Sequence, residues 1–207
     1  MKVLIIDKVH DILIEKLEEK GFMVDYLPDI KVEGIENQLS GYAGIIVRSK
    51  LRITKEIINA AVNLKFIARV GAGMENIDVK YAESKGIKCF NSPEGNRDAV
   101  GEQSLAMLLM LLNKLYKAHQ EVAGGIWQRE KNRGLELKNK TVGILGYGNM
   151  GSAFAEKLRG MECQVIAYDK YKFNFSNSWV REVNIDQLYD ETDILSMHVP
   201  LTEETNY

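Results

Sequence analysis

Thr141-Val142-Gly143-Ile144-Leu145-Gly146-Tyr147-Gly148-Asn149-Met150-Gly151 is the stretch that decides the fold. Its first five residues form an apolar run of strand length, and Ser152 to Arg159 continue as a helix. Between them stands Gly-x-Gly-x-x-Gly, which in this strand, turn and helix setting is a dinucleotide fingerprint. Gly146 makes the turn, Gly148 lets the backbone approach a pyrophosphate, and Gly151 lets the helix pack against its strand with its free N–H groups facing the phosphates. Tyr147, Asn149 and Met150 complete the candidate cofactor loop.

A second apolar run, Gln164 to Tyr168, ends at Asp169, 18 residues past Gly151. That is where an acid that binds ribose hydroxyls is expected. A carboxylate there accepts from both hydroxyls and repels a 2′-phosphate, so NAD is favoured over NADP. Lys170 and Lys172 are read as solvated, and no arginine stands beside Asp169 to clamp a phosphate with a bidentate fork.

With 207 residues the chain has room for two small domains. Lys and Arg number 27 against 29 Asp and Glu, a net charge of −2, so no basic field exists to hold nucleic acid or an anionic membrane. Any anion must be held by a local cluster. Cys89 and Cys163 lie far apart without a Cys-x-x-Cys pair, which argues against a zinc site or a disulfide framework and fits a reducing cytoplasm. Met1-Lys2 precede only four apolar residues, too few for a signal peptide, and the longest apolar run, Leu105 to Leu112, is too short to span a bilayer. A soluble protein is expected.

The first hundred residues repeat a strand and helix rhythm. The strand candidates are Val3 to Ile6, Phe22 to Tyr26, Gly44 to Val47, Lys65 to Ala68 and Ile87 to Phe90. Ile12/Leu13/Leu17, Ile35/Leu39, Ile57/Ile58/Ala61 and Val79/Ala82 supply the stripes of intervening helices. Thr54 is a candidate N-cap, and Gly21 and Gly86 stand where helices should stop. Five strands with crossovers predict a parallel sheet, and ligands of such sheets bind outside the carboxyl ends of the strands. Those ends carry Arg48-Ser49-Lys50, Arg69-Val70-Gly71-Ala72-Gly73 and Asn91-Ser92-Pro93: guanidinium forks and a Gly-x-Gly turn suited to a carboxylate and a second anion.

One long helix is expected from about Asp98 to Val122, apolar almost all round through Met107, Met110 and Leu111, and so either central to a domain or half of a homodimer interface. Gly124-Gly125 ends it, and Trp127-Gln128-Arg129 opens a polar connection. The domain boundary is placed before that helix, giving residues 1–97 and 98–207.

Together Val47-Arg48-Ser49, Val70 to Asp78, the helix start Asn96 to Glu102, Gly143 to Gly151 and Asp193 to Thr202 resemble the D-isomer-specific 2-hydroxyacid dehydrogenase family. They look most like its branch that oxidises 3-phosphoglycerate in serine synthesis. The resemblance implies an α/β architecture: a flavodoxin-like, parallel-sheet substrate domain followed by a Rossmann NAD-binding domain. It also implies that Val70 to Gly73 hold the substrate carboxylate through backbone N–H groups, with Asn96 and Ser49 nearby. Arg48 and Arg69 fall where cations meet the substrate phosphate, and Arg129 would reach a neighbouring subunit's site. His198-Val199-Pro200 would end the third Rossmann strand beside the cofactor, with His198 a satisfied polar residue. His10 and His119 are read as surface residues.

Two departures stand out. Ala99 and Gly101 replace residues many relatives carry before the helix-start Glu. The family's catalytic Arg, its His and the Glu orienting that His have no counterpart in the sequence, which carries only three histidines. We therefore expect three strands of about six, an unpaired edge on Thr141 to Leu145, and a piece of a longer protein that holds reactants without completing hydride transfer. A non-catalytic NAD-binding regulator of the same fold stays open as the alternative.

Overall fold

Val3, Leu4, Ile5 and Ile6 are all at most 1% exposed, which an isolated strand achieves only when both faces of its sheet are covered. In the computed structural model, which describes residues 1–31, 33–202, 204 and 205, two compact units form, Met1–Asn96 and Arg97–Tyr207. In the first, β1 (Lys2–Ile5), β2 (Met23–Tyr26), β3 (Gly44–Val47), β4 (Phe66–Arg69) and β5 (Lys88–Phe90) make a wholly parallel sheet in the order β2-β1-β3-β4-β5. This is the flavodoxin-like order. Alternation divides the core: Leu4, Ile45, Val47 and Ile67 pack with Leu39, Ile57, Ile58 and Ala82 on one face. Val3, Ile5 and Ile46 pack with Val9, Leu13 and Leu17 on the other.

The crossovers are α1 (Asp11–Glu19), a 3-10 helix (Ile35–Gly41), α2 (Lys55–Ala60) and α3 (Val79–Ser84). Gly21 and Gly86 follow α1 and α3 with φ of 79° and 76°, the left-handed stop a side chain would strain. Ile35 and Leu39 are fully buried, yet their segment winds as 3-10 rather than α. Asn37, Ser40 and Gly41 make the segment poor in helix propensity.

In the second unit β6 (Thr141–Leu145), β7 (Gln164–Tyr168), β8 (Arg181–Glu182) and β9 (Ile194–Met197) form a parallel sheet ordered β8-β7-β6-β9. Helices α6 (Asn149–Leu158) and α7 (Ile185–Glu191) are among its crossovers. Two expectations are corrected here. Thr141–Leu145 has no open edge, because β7 flanks it on one side and β9 on the other. His198 follows the fourth strand of this sheet rather than the third, since a two-residue strand, β8, precedes it. Its brevity left no periodic pattern to detect.

The long helix is also corrected. It is two helices, α4 (Arg97–Leu112) and α5 (Leu115–Ala123), divided at Lys114 with φ of 50°. The cause is a chain returning from below: the Leu135 amide takes the Leu112 carbonyl at 3.0 Å, the acceptor a continuous helix would have used. Gly134 passes so close that a Cβ there would lie 2.8 Å from Asn113 Cα. Nor is α4 covered all round. Gly101 brings it onto α6, where a Cβ would stand 2.9 Å from the Ala153 carbonyl oxygen, while Met107 and Leu111 are 56% and 76% exposed. Among the described residues no helix is long and apolar enough to cross a membrane.

Candidate functional site

In each unit most of the candidate residues stand at the carboxyl ends of the strands; Asn96 and Arg129 do not. In the first, the Arg48 amide donates to Asp7 Oδ2 at 2.6 Å, and its carbonyl accepts from Arg69 Nε at 3.1 Å and Asn76 Nδ2 at 3.3 Å. The two arginines thus differ. Arg69 spends its fork on its own loop, pairing with Glu75 at 3.0 Å and donating to the Gly73 carbonyl, and is only 15% exposed. Arg48 is exposed, and its guanidinium has no partner among the described residues.

The turn after β4 is equally divided. The Val70 amide continues the sheet to the Val47 carbonyl, and Gly71 donates to the Arg69 carbonyl at 3.0 Å and to Ser92 Oγ at 3.2 Å. The Ala72 and Gly73 amides have no partner among the described residues, so they are the donors left for a carboxylate. Asn91 Nδ2 holds the Ala72 carbonyl at 2.6 Å. Ser49 is exposed beside Arg48, and Asn96 is exposed at the end of the short 3-10 turn Pro93–Gly95. His10 caps α1, its Nδ1 accepting from the Ile12 amide at 3.2 Å.

In the second unit the glycine loop lies at the meeting of β6 and β9, the point where strand order reverses and where such sheets bind ligands. Gly146 has φ of 92°, and a Cβ there would meet the His198 carbonyl oxygen at 2.7 Å. A Cβ on Gly151 would lie 2.0 Å from the Gly146 carbonyl oxygen, so the first turn of α6 sits directly on the loop. At Gly148 nothing lies within 4 Å of that position, an open approach for a pyrophosphate. The first helical bond runs from the Ser152 amide to the Gly148 carbonyl, leaving the Asn149, Met150 and Gly151 amides without partners among the described residues.

Asp169 contributes more locally than a ribose contact. Its Oδ2 accepts from the Tyr147 amide at 2.7 Å and its Oδ1 from the Tyr171 and Lys172 amides at 2.9 and 3.0 Å. Three of about four acceptor positions are occupied, leaving one without a partner among the described residues. Tyr147 is 6% exposed and stacks on Phe175 at 4.4 Å, with Lys172 Nζ 5.0 Å above its ring, so this residue serves the loop through its backbone. Lys170, read as solvated, pairs with Glu204 at 2.6 Å.

A cavity of about 540 Å³ is lined by Gly146, Gly148, Asp169, His198, Val199 and Pro200. Tyr171, Tyr189 and Thr202 also line it and were missed in the sequence. Tyr189 rides on α7, whose signal was the capping box of Asn184 and Gln187. His198 is half-buried, bonds Ser196 Oγ through Nε2 at 2.9 Å, and burial pushes its pKa below the ordinary value. Arg129, exposed between α5 and β6, does not line this cavity.

The sequence and the backbone have counterparts among known proteins. Residues 105–207 match the family model described as D-isomer specific 2-hydroxyacid dehydrogenase, NAD binding domain. The chain is 34% identical over 207 residues to D-3-phosphoglycerate dehydrogenase of Archaeoglobus fulgidus, covering 99% of this chain and 39% of that protein. It is 35% identical over 189 residues to hydroxypyruvate reductase of Thermotoga maritima, covering 91% of this chain and 58% of the relative. Its backbone superposes on D-lactate dehydrogenase of Aquifex aeolicus, solved with NAD and lactic acid, at a TM-score of 0.83 and 26% identity, covering 99% of this chain and 62% of that one. The chain thus spans about two fifths to three fifths of the length of these proteins.

Proposed function

Because the chain belongs to the D-isomer specific 2-hydroxyacid dehydrogenase family, with residues 105–207 in its NAD-binding domain, we propose that it forms the substrate- and cofactor-holding part of an NAD-dependent oxidoreductase. The substrate is a D-2-hydroxy acid, and 3-phosphoglycerate, oxidised to 3-phosphohydroxypyruvate in serine biosynthesis, fits best. One observation carries this choice: the Arg48 guanidinium and the Ala72 and Gly73 amides, all without partners among the described residues, share one rim. The amides suit a carboxylate and the fork suits a phosphate. Among the relatives, the name D-3-phosphoglycerate dehydrogenase supports the phosphorylated acid and hydroxypyruvate reductase an unphosphorylated one.

In this reading the residues of the chain bind and orient. Ala72 and Gly73 hold the carboxylate so that C2 is presented in one orientation, and Arg48 fixes the far end. The first turn of α6 receives the pyrophosphate, and Asp169 keeps one acceptor position for a ribose hydroxyl, which favours NAD over NADP. NAD, when bound, accepts the hydride from C2. No residue of this chain is assigned as proton carrier or as the cation that polarises the carbonyl, so residues 1–207 alone should bind the reactants without turning them over. The apolar face of α4 with Met107, Met110 and Leu111 supports a homodimer through the Asp98–Val122 region.

The test is an NADH oxidation assay on the gene product that carries this chain, with phosphohydroxypyruvate and hydroxypyruvate. Phosphohydroxypyruvate is expected to be the better substrate, and Arg48→Ala should raise its KM about 10–100-fold while moving hydroxypyruvate little, as a charge-assisted contact is worth about 1.5–3 kcal/mol. Asp169→Ala should narrow the preference for NADH over NADPH. Equal loss on both acids would remove the phosphate assignment.

A further inference from the structure

Among the described residues Asp7 is the only charged side chain in the buried set, at 8% exposure. It lies just past β1, and both of its described hydrogen bonds go to main chain: Oδ2 accepts from the Arg48 amide at 2.6 Å and, more loosely, from the Lys50 amide at 3.4 Å. A neutral Asn could accept the same two amides without the desolvation cost of a carboxylate. What the charge adds is strength, because hydrogen bonds to an ionised acceptor are about twice as strong as neutral ones. Asp7 therefore grips the Arg48 amide harder than connecting two strand ends requires.

The other side of Arg48 is gripped as well. Arg69 Nε at 3.1 Å and Asn76 Nδ2 at 3.3 Å both donate to its carbonyl, and Asn76 Nδ2 reaches the Leu51 carbonyl at 3.2 Å, bracketing the loop. Side chains from three segments thus fix the N–H and C=O of one residue, and none has a described contact with its guanidinium. The result is an arginine with a fixed root and a free fork. An anchored root leaves less freedom to be lost when the fork closes on an anion.

We infer that Asp7, together with Asn76, is a positioning residue for recognition of the substrate phosphate, acting through the main chain of Arg48. This rests on the proposed role of Arg48 and deepens it. The two residues contribute selectivity without touching substrate: they set where the guanidinium starts from.

The experiment measures, by calorimetric titration of the full 207-residue chain, the dissociation constants of 3-phosphoglycerate and D-glycerate, and reads their ratio. Asp7→Asn should reduce the preference for the phosphorylated acid about three- to tenfold, Arg48→Ala should abolish it, and the double variant should match Arg48→Ala alone. Asn76→Ala attacks the carbonyl side of the clamp and should lower the same ratio. It carries the test if Asp7→Asn loses its native circular dichroism. An unchanged ratio in both variants, or the same further loss when Asp7→Asn is added to Arg48→Ala, overturns the inference while leaving Arg48 as the phosphate cation. A wild-type ratio near one, or one that Arg48→Ala does not change, overturns the phosphate reading itself and the inference with it.

Discussion

The two glycine turns, Val70 to Gly73 in the first unit and Gly146 to Gly151 in the second, present unpaired amides at strand ends but are built from different materials. Around Gly73 the space a Cβ would need is filled by the ends of side chains, Glu75 Oε2 at 2.0 Å and Arg69 Nη1 at 2.8 Å. Around Gly146 and Gly151 it is filled by backbone, the carbonyl oxygens of His198 and Gly146. One turn is walled by side-chain ends, of which Glu75 can move aside, the other by main chain that cannot. An anion site built the first way can be retuned by substitution, whereas the second imposes its glycines on any sequence that adopts it.

The sharpest way to break this contrast is Gly151→Ala. The new methyl would meet the Gly146 carbonyl oxygen, which has no room to retreat beneath α6, so a loss of about 3 kcal/mol in urea unfolding and a large loss of NAD affinity are expected. Gly73→Ala is the matched substitution in the softer turn. Glu75 is 72% exposed and can swing away, leaving only the end of Arg69 to shift, so the cost should stay well below that of Gly151→Ala, with NAD affinity unaffected. Equal losses at the two glycines would erase the distinction between side-chain and backbone walls.

The smallest effect tests the neighbour of the rigid turn. Burial lowers the His198 pKa, so as pH falls below the ordinary histidine value near 6.5 the unfolded chain takes up its proton first. Stability of the second unit is therefore full above that value and declines as pH drops toward the depressed folded pKa. His198→Gln should flatten the decline in urea titrations at pH 7.5 and 5.5, and an unchanged slope would assign the acid sensitivity to other groups.

How much of this was legible in the sequence follows the same division. The strands Thr141–Leu145 and Gln164–Tyr168 and the glycine loop could be read because backbone packing dictates glycine by position. The five strands of the first unit announced themselves as apolar runs. What escaped was set by contacts distant in sequence. Nothing near Lys114 foretells that Leu135 will capture the Leu112 carbonyl and split the helix, and β8 is two residues long. At the site, Arg48 and Arg69 read alike as cations on a rim, and it is Glu75, Gly73 and the Arg48 carbonyl, all partners of Arg69, that make them different. Asp7 gave no signal, since a lone acid after a strand is ordinary until its distance to a residue 41 positions away is known.

The pairing of β6 with β9 also sets a timetable. Val142 takes its partner from Ile194, and the Gly146 turn is walled by the carbonyl of His198, so the nucleotide turn is synthesised about fifty residues before its own wall exists. Closing a loop of that length is entropically unfavourable until the sheet contacts reward it. While the chain is emerging, β6 can rest only on β7, and its other edge is open to strangers. The cofactor pocket is thus among the last features of that unit to form, and a chain stalled before residue 194 would carry the whole glycine fingerprint and yet have no completed place to put a nucleotide.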